Sequence, residues 1–474
     1  MPYPGAPTPS VLRLLAQTFG PDLLVDEAAL AARSRDESGL CMPPAAVLLA
    51  KSEAQVSRLL ALATECAEHG DPFAVIPRGT GTGLAGGCLA ETGGVVLDLS
   101  AMNRILAIDS DCVTAEVEPG VLTGDLRRAA AAKGLFYPPD PASLDTSTIG
   151  GNAATGAGGP ACVKYGTTRD YVLGLRAVLP TGEVVRAGTA TRKGVVGYDL
   201  TRLLVGSEGT LAVITGLTLK LLPHPATQAC MAAVFPSLGH AMRAVIAVMT
   251  RGRLPSAMEF LDARCLALVG DLLPDHVRAG LAGGTEALAL IECDGGVDET
   301  NNAIADIENA CRDCGALGII PAPDAAGREA VWKVRRSVST RIHESCAVYI
   351  PEDVAVPVGR IAELVAALPG VEARHGIVIY AFGHAGDGNI HLNLTAAEES
   401  ARPRVEAAAE DCVRLALTLG GTMSGEHGVG LSKRHLLPLE IEPASLRLQR
   451  GLKALFDPHN ILNPGKVFPR EGAK

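Results

Sequence analysis

Between Phe382 and Leu394 the run FGHAGDGNIHLNL sets two histidines and an aspartate among three glycines, ahead of an alternating polar and apolar stretch. If residues 389–394 form a strand, His391, Asn393 and Thr395 share one face and Ile390, Leu392 and Leu394 the other. His384 is expected on a turn, where Gly383, Gly386 and Gly388 let the backbone fold its imidazole back beside His391. A second cluster, SGEHG at 424–428, can add the carboxylate of Glu426. Two imidazoles and a carboxylate from separate segments suit an open divalent-metal site, with positions left for water or substrate. Glu426 and His427 are adjacent, so in extended chain one can ligate while the other faces a substrate. Hydrogen-bonded turn and sheet histidines would show the same spacing, and spacing alone does not choose between the two.

The elements that must hold these groups belong to a long globular chain. Its 474 residues predict two or three domains, with 47% hydrophobic and only 20% charged residues. A formal charge of −10 and the lack of basic runs argue against nucleic acid or an anionic membrane surface as the main partner. No signal-peptide pattern opens the sequence and no apolar run is long enough to span a bilayer. The expectation is a cytoplasmic enzyme, with peripheral membrane docking left open. The twelve cysteines are scattered, Cys311 and Cys314 forming the single C-x-x-C, and no series fits an iron–sulfur cluster.

Taken in order, residues 10–36 read as helical, and from Ala45 the pattern becomes strand, helix, strand, ending at Ile76. There the chain enters PRGTGTGLAGG, 77–87, with five glycines in eleven residues and no acidic side chain, so that bare N–H groups can wrap an anion such as phosphate. Gly81, Gly83 and Gly86 match G-x-G-x-x-G, but no helix can open in the glycine-rich residues before the strand at Val95. A Rossmann site is therefore not expected, nor is Asp98 as a ribose ligand. A second such segment, 138–160, reads as a loop whose N–H groups and hydroxyls can meet a diphosphate and a flat ring. A third loop is LLVGSEGTLAVIT, 203–215. One glycine-rich loop is usually a mobile turn, whereas three between the strands of one domain argue for a ligand. After Pro223 strands and helices alternate, as in a separate α+β domain, and Arg335 and Arg336 lie in a helical stretch where a solvated face explains them equally well.

Together the three glycine-rich segments and the carboxyl-terminal FDPHNILNPGK resemble the FAD-binding type 4 oxidase family, with the vanillyl-alcohol-oxidase fold. The likeness covers nearly the whole chain and is strongest to its D-2-hydroxyacid dehydrogenase branch, which includes D-lactate dehydrogenases and glycolate oxidase flavoprotein subunits. It implies an α+β protein: a two-subdomain FAD-binding domain with an N-terminal helical segment over 1–223, an α+β cap or substrate domain over 224–415, and a helical segment over 416–474 completing the active site.

By that resemblance Pro77, Arg78, Gly79, Thr80, Gly81, Thr82, Gly83 and Leu84 embrace the FAD diphosphate. Pro139, Asp145, Thr146, Thr148, Ile149, Gly150, Gly151, Asn152, Thr155, Gly156, Gly158 and Gly159 run along the isoalloxazine and ribityl chain. Glu208, Gly209 and Ile214 meet the adenosine end, with Asn463 from the carboxyl-terminal motif. The first loop has no histidine for a covalent tether, so FAD is expected to be dissociable. The likeness also makes His384, His391 and Glu426 ligands of a divalent ion, zinc by preference. It sets Asn393 beside the substrate, makes His427 the base, and tilts Arg335 toward a bidentate clamp on the substrate carboxylate.

Relatives acting on D-2-hydroxyglutarate show a lysine where this chain has Tyr349-Ile-Pro-Glu-Asp353, so Glu352 and Asp353 would meet a second carboxylate and a small monocarboxylate is expected. The implied reaction is hydride transfer from a small D-2-hydroxyacid to flavin N5. Electrons then pass to a quinone, a cytochrome, an electron-transfer flavoprotein or a partner subunit, and a homodimer is one option for the assembly. The competing expectations are a D-2-hydroxyglutarate dehydrogenase, a flavoprotein with no net oxidation such as an ether-lipid synthase, a non-catalytic FAD-binding subunit, or a metal-dependent hydrolase. The last would leave the three glycine-rich segments without a purpose.

Overall fold

A computed structural model describes residues 3–252, 254–281 and 283–470. The chain divides into two compact units, one of Met1–Ala157, Thr167–His224 and His427–Lys474, the other of Gly158–Gly166 and Pro225–Glu426. Among the described residues no helix is long and apolar enough to cross a membrane.

The first unit holds two larger sheets and a two-stranded one in which Leu135–Phe136 pairs with Leu222–Pro223. In a four-stranded sheet the parallel strands Ala46–Leu49, Val95–Asp98 and Val75–Arg78 lie side by side, with Leu23–Leu24 antiparallel at the edge. The helix Glu53–Glu68 makes the crossover from the first of these to Val75–Arg78, buries Val56, Leu59, Leu60 and Ala63, and is capped by Ser52. Fully buried strand positions explain the unbroken apolar runs at 46–48 and 95–97. A second sheet of five antiparallel strands runs in the order Ile105–Asp109, Thr114–Val117, Val213–Lys220, Val172–Val178, Val184–Gly188. The expected helix over 10–36 is interrupted. Pro9–Phe19 ends at Gly20, which has φ +54 and is followed by Pro21, and Leu23–Leu24 then pairs as a strand before the short helix Glu27–Ala31.

The second unit is built on one antiparallel sheet of seven strands, in the order Gly318–Pro321, Thr227–Phe235, Ala287–Gly295, Ala257–Asp262, Val378–His384, Asn389–Ala396, Val348–Ala355. The helix Ala325–Glu344 starts at the Asp324 cap and buries Val331, Val334, Arg335, Val338 and Ile342, a stripe at helical spacing. That stripe packs on Leu261, Leu288, Leu290 and Phe382 from the central strands. Arg335 therefore lies on the buried side, whereas Arg336 is exposed and bonds Glu329. Periodicity from Val331 to Ile342 separates the two arginines that the sequence reading took as one pair.

Candidate functional site

His384 is the last residue of the strand Val378–His384, not a turn residue, and the turn is 385–388. The hairpin register pairs His384 with Asn389 and Phe382 with His391, so the two histidines are diagonal neighbours on one face. Their rings lie 5.1 Å apart, nearly perpendicular. The turn is tight at Gly388, where φ is +88 and a Cβ would sit 2.0 Å from the Val356 carbonyl oxygen.

The strands on either side add two carboxylates to that face. Glu259 pairs directly with His384, and Asp353 with His391. Asp353 is fully buried; its Oδ2 accepts from the Glu426 backbone N–H at 2.6 Å and its Oδ1 from the Ser424 hydroxyl at 3.1 Å. This anchors the Glu426 carboxylate over the hairpin. Glu426 Oε1 lies 3.3 Å from His384 Nε2 and 3.6 Å from His391 Nε2, and one atom from each of the three residues falls within 4.8 Å of the others. Gly158 borders the cluster, since a Cβ there would meet Glu426 Oε2 at 2.9 Å. Two imidazole nitrogens and one carboxylate oxygen converging in this way fit a divalent cation with an open coordination position.

Glu259 was not picked out by sequence reasoning. It is fully buried, contacts His384 Nδ1 through Oε1 at 2.5 Å, and accepts from Arg335 Nε at 2.7 Å through Oε2. Arg335 Nη2 reaches the same oxygen at 2.5 Å, and its guanidinium lies 4.8 Å above the Phe382 ring. Burial by itself would raise the Glu259 carboxyl, but Arg335 and then His384 outweigh it and hold it at about 2. Burial likewise works against a charged His384, and Glu259 followed by Glu426 overcomes it, raising the imidazole well above the usual histidine range. The Nε and Nη2 edge of Arg335 thus serves Glu259, which leaves the Nη end of the fork for any substrate carboxylate. Asn393, two residues beyond His391, donates through Nδ2 to Ser339 at 3.4 Å.

The expectation that Glu352 and Asp353 would both face a substrate is corrected by strand alternation. Asp353 shares the His391 face, while Glu352 takes the opposite one, on the side of the helix Arg402–Thr418.

In the first unit the glycine-rich segments meet. Thr80 Oγ1 donates to the Thr146 carbonyl at 2.6 Å, and a Cβ on Gly79 would press on Thr148 Oγ1 at 2.4 Å. No helix opens between Arg78 and Val95, and Asp98 pairs with Arg33 at 3.0 Å. Arg78 is buried under its own loop, donating to the Arg35 carbonyl, so its guanidinium braces the segment.

The segment 138–160, expected as loop, contains the helix Ile149–Thr155, because Thr148 caps it by accepting from Gly151 N–H. Gly150 and Gly151 lie in its first turn, Asn152 donates to Thr123 at 2.7 Å, and Thr155 bonds back to Gly151. Gly156 ends that helix, Pro139 offers its carbonyl to Arg127, and Asp145 is exposed beside Arg128. Gly158 and Gly159 fall in the chain ranges of the second unit.

In the third segment Glu208 and Gly209 form a turn with positive φ, and Ile214 already lies in the strand Val213–Lys220. Asn463 Nδ2 donates to the carbonyls of Glu208 at 2.8 Å and Gly87 at 2.9 Å. The unit boundary falls between Glu426 and His427, which places His427 with the segments of the first unit.

Comparison with known proteins bears directly on these two halves. Residues 44–188 match the family described as FAD binding domain, and residues 224–467 that described as FAD linked oxidases, C-terminal domain. The chain is 40% identical over 433 residues to the glycolate oxidase subunit GlcD of Bacillus subtilis, covering 91% of this chain and 90% of the relative. It is 34% identical over 460 residues to a D-lactate dehydrogenase of Anaerostipes hadrus, covering 96% and 94%. Its fold matches the structure of p-cresol methylhydroxylase with a TM-score of 0.79 at 16% identity, covering 100% of this chain and 99% of the other, which establishes the α+β vanillyl-alcohol-oxidase-type architecture. With both halves matched in order and relatives aligned over nine-tenths of its length, the chain belongs to the FAD-linked oxidase family.

Proposed function

We propose that this protein is an FAD-dependent dehydrogenase that oxidises a small D-2-hydroxyacid, glycolate or D-lactate foremost, to the 2-oxoacid. The observation that carries the reading is the convergence of His384, His391 and Glu426 in a chain that also carries an FAD binding domain. The names of its relatives point to the same substrate class. When bound, FAD supplies the hydride acceptor, and a divalent cation, zinc by donor type, supplies charge that lowers the pKa of the substrate hydroxyl.

The side chains do the rest. His427 takes the hydroxyl proton. Arg335 meets the substrate carboxylate with the Nη end of its fork, and Asn393 adds a polar contact, so that two fixed points orient the carbinol hydrogen. The strand Val348–Ala355 carries no lysine or arginine to hold a second carboxylate, which favours a monocarboxylate. The glycine-rich segments of the first unit offer backbone N–H groups to the FAD diphosphate. Pro77–Gly87 has no histidine to tether the flavin, so FAD is held without a covalent bond.

The test is an anaerobic screen of small D- and L-2-hydroxyacids against the purified yellow protein, repeated after chelation. Bleaching of the flavin by a D-acid or glycolate, loss of bleaching with a chelator and its return with zinc are expected. A protein that takes up no FAD, or flavin that no 2-hydroxyacid reduces, would end the proposal.

A further inference from the structure

Glu208 lies in the turn between the helix Leu200–Leu204 and the strand Val213–Lys220, with φ +53, a left-handed conformation that costs a side chain roughly 1–2 kcal/mol. Its carboxylate faces inward. Oε1 accepts from Val429 N–H and Oε2 from Gly430 N–H, each at 2.8 Å, and a Cβ on Gly428 would stand 3.1 Å from Oε1. Its backbone is bound as well. The N–H donates to the Ala154 carbonyl at 2.8 Å, and the carbonyl accepts from Asn463, which also holds Gly87. One residue therefore ties together the first glycine-rich loop, the helix Ile149–Thr155, the carboxyl-terminal motif and the chain two residues beyond His427.

Turning a half-buried carboxylate inward and straining its backbone is an expensive way to cap two peptide N–H groups. A neutral side chain could not do the same work. Successive N–H groups need two acceptors in one plane, and among side chains a carboxylate provides them.

We propose that Glu208 is the positioning residue for His427, clamping the peptide N–H groups of Val429 and Gly430 so that the imidazole is held at one setting. This rests on the reading of His427 as the base. The substitution Glu208→Gln preserves shape but turns an amide NH2 toward one of the two N–H groups, and Glu208→Asp keeps both acceptors on a shorter arm.

The measurement is stopped-flow flavin reduction under anaerobic conditions by D-lactate and by glycolate, in wild type, E208Q, E208D, H427A and the double variant E208Q/H427A. Because both carboxylate oxygens of Glu208 are taken by Val429 and Gly430 rather than turned to the adenosine end that the resemblance implied, the expected result for E208Q is wild-type FAD content and absorbance, substrate affinity within about threefold, and a limiting reduction rate lower by about 10²-fold, the loss that a misplacement near 1 Å can cause. E208D should recover part of that rate. The double variant should be no slower than H427A, because a residue acting through His427 has nothing left to position.

Wild-type rates in E208Q overturn the proposal. So do losses that multiply in the double variant, or loss of FAD from both Glu208 variants, which would make the role structural. Should H427A itself reduce at the wild-type rate, the base assignment fails and the positioning role falls with it. Should H427A be inactive while E208Q is unaffected, the positioning role alone fails.

Discussion

Glu259 stands 125 residues before His384 in the chain, outside every motif, yet its carboxylate holds Nδ1 of that histidine and leaves Nε2 facing Glu426. A hydrogen-bonded carboxylate behind a ligating histidine strengthens metal binding, so Glu259→Gln is expected to weaken zinc affinity by about 10- to 100-fold. Competition against a fluorescent chelator measures this without any turnover, and unchanged affinity would leave Glu259 a merely structural partner of Arg335. His427→Ala belongs to the same scale. It is expected to keep the flavin spectrum and lose at least about 10²-fold in flavin reduction, the lower bound for removing a general base. Near-wild-type bleaching by D-lactate or glycolate in that variant would remove the assignment.

At the scale of elements, the hairpin that carries both histidines turns at Gly388, where positive φ and the Val356 carbonyl together exclude a side chain. Gly388→Ala is therefore expected to cost roughly 1–3 kcal/mol through backbone strain and to lower zinc uptake in parallel. Thermal unfolding and metal content of the same preparation test it, and an unshifted midpoint would contradict the strain argument. The helix Ile149–Thr155 is only seven residues long and depends on its Thr148 cap. Thr148→Ala should destabilise by about 1 kcal/mol, while Thr148→Ser should be close to neutral. Equal midpoints in urea for the Ala variant and wild type would show that the cap contributes nothing.

For the whole molecule, the candidate metal ligands fall in one compact unit and most of the candidate cofactor segments in the other. Chelation is accordingly expected to leave FAD content unchanged while abolishing flavin reduction, and acid precipitation to release the yellow colour into the supernatant. Absorbance spectra of protein and filtrate decide both points. The sequence by itself determined what is local. Glycine-rich spacing marked three segments that hydrogen bonds bring together, the period-two pattern at 389–394 put His391 and Asn393 on one face, and the absence of a helix-length run after Gly86 excluded a Rossmann turn. Helical periodicity from Val331 also held the clue that Arg335 is buried, although a pair of adjacent arginines reads first as a solvated face.

Only the tertiary structure decided which residues stand behind the visible ones. Glu259 and Asp353 acquire their roles from strand register, and Glu208 from a turn packed on a segment 221 residues away. Register and turn packing are fixed by long-range pairing of backbone groups. No local pattern of side chains encodes which strand becomes which neighbour, so His384, His391 and Glu426 were legible as a group and the carboxylates packed behind them were not.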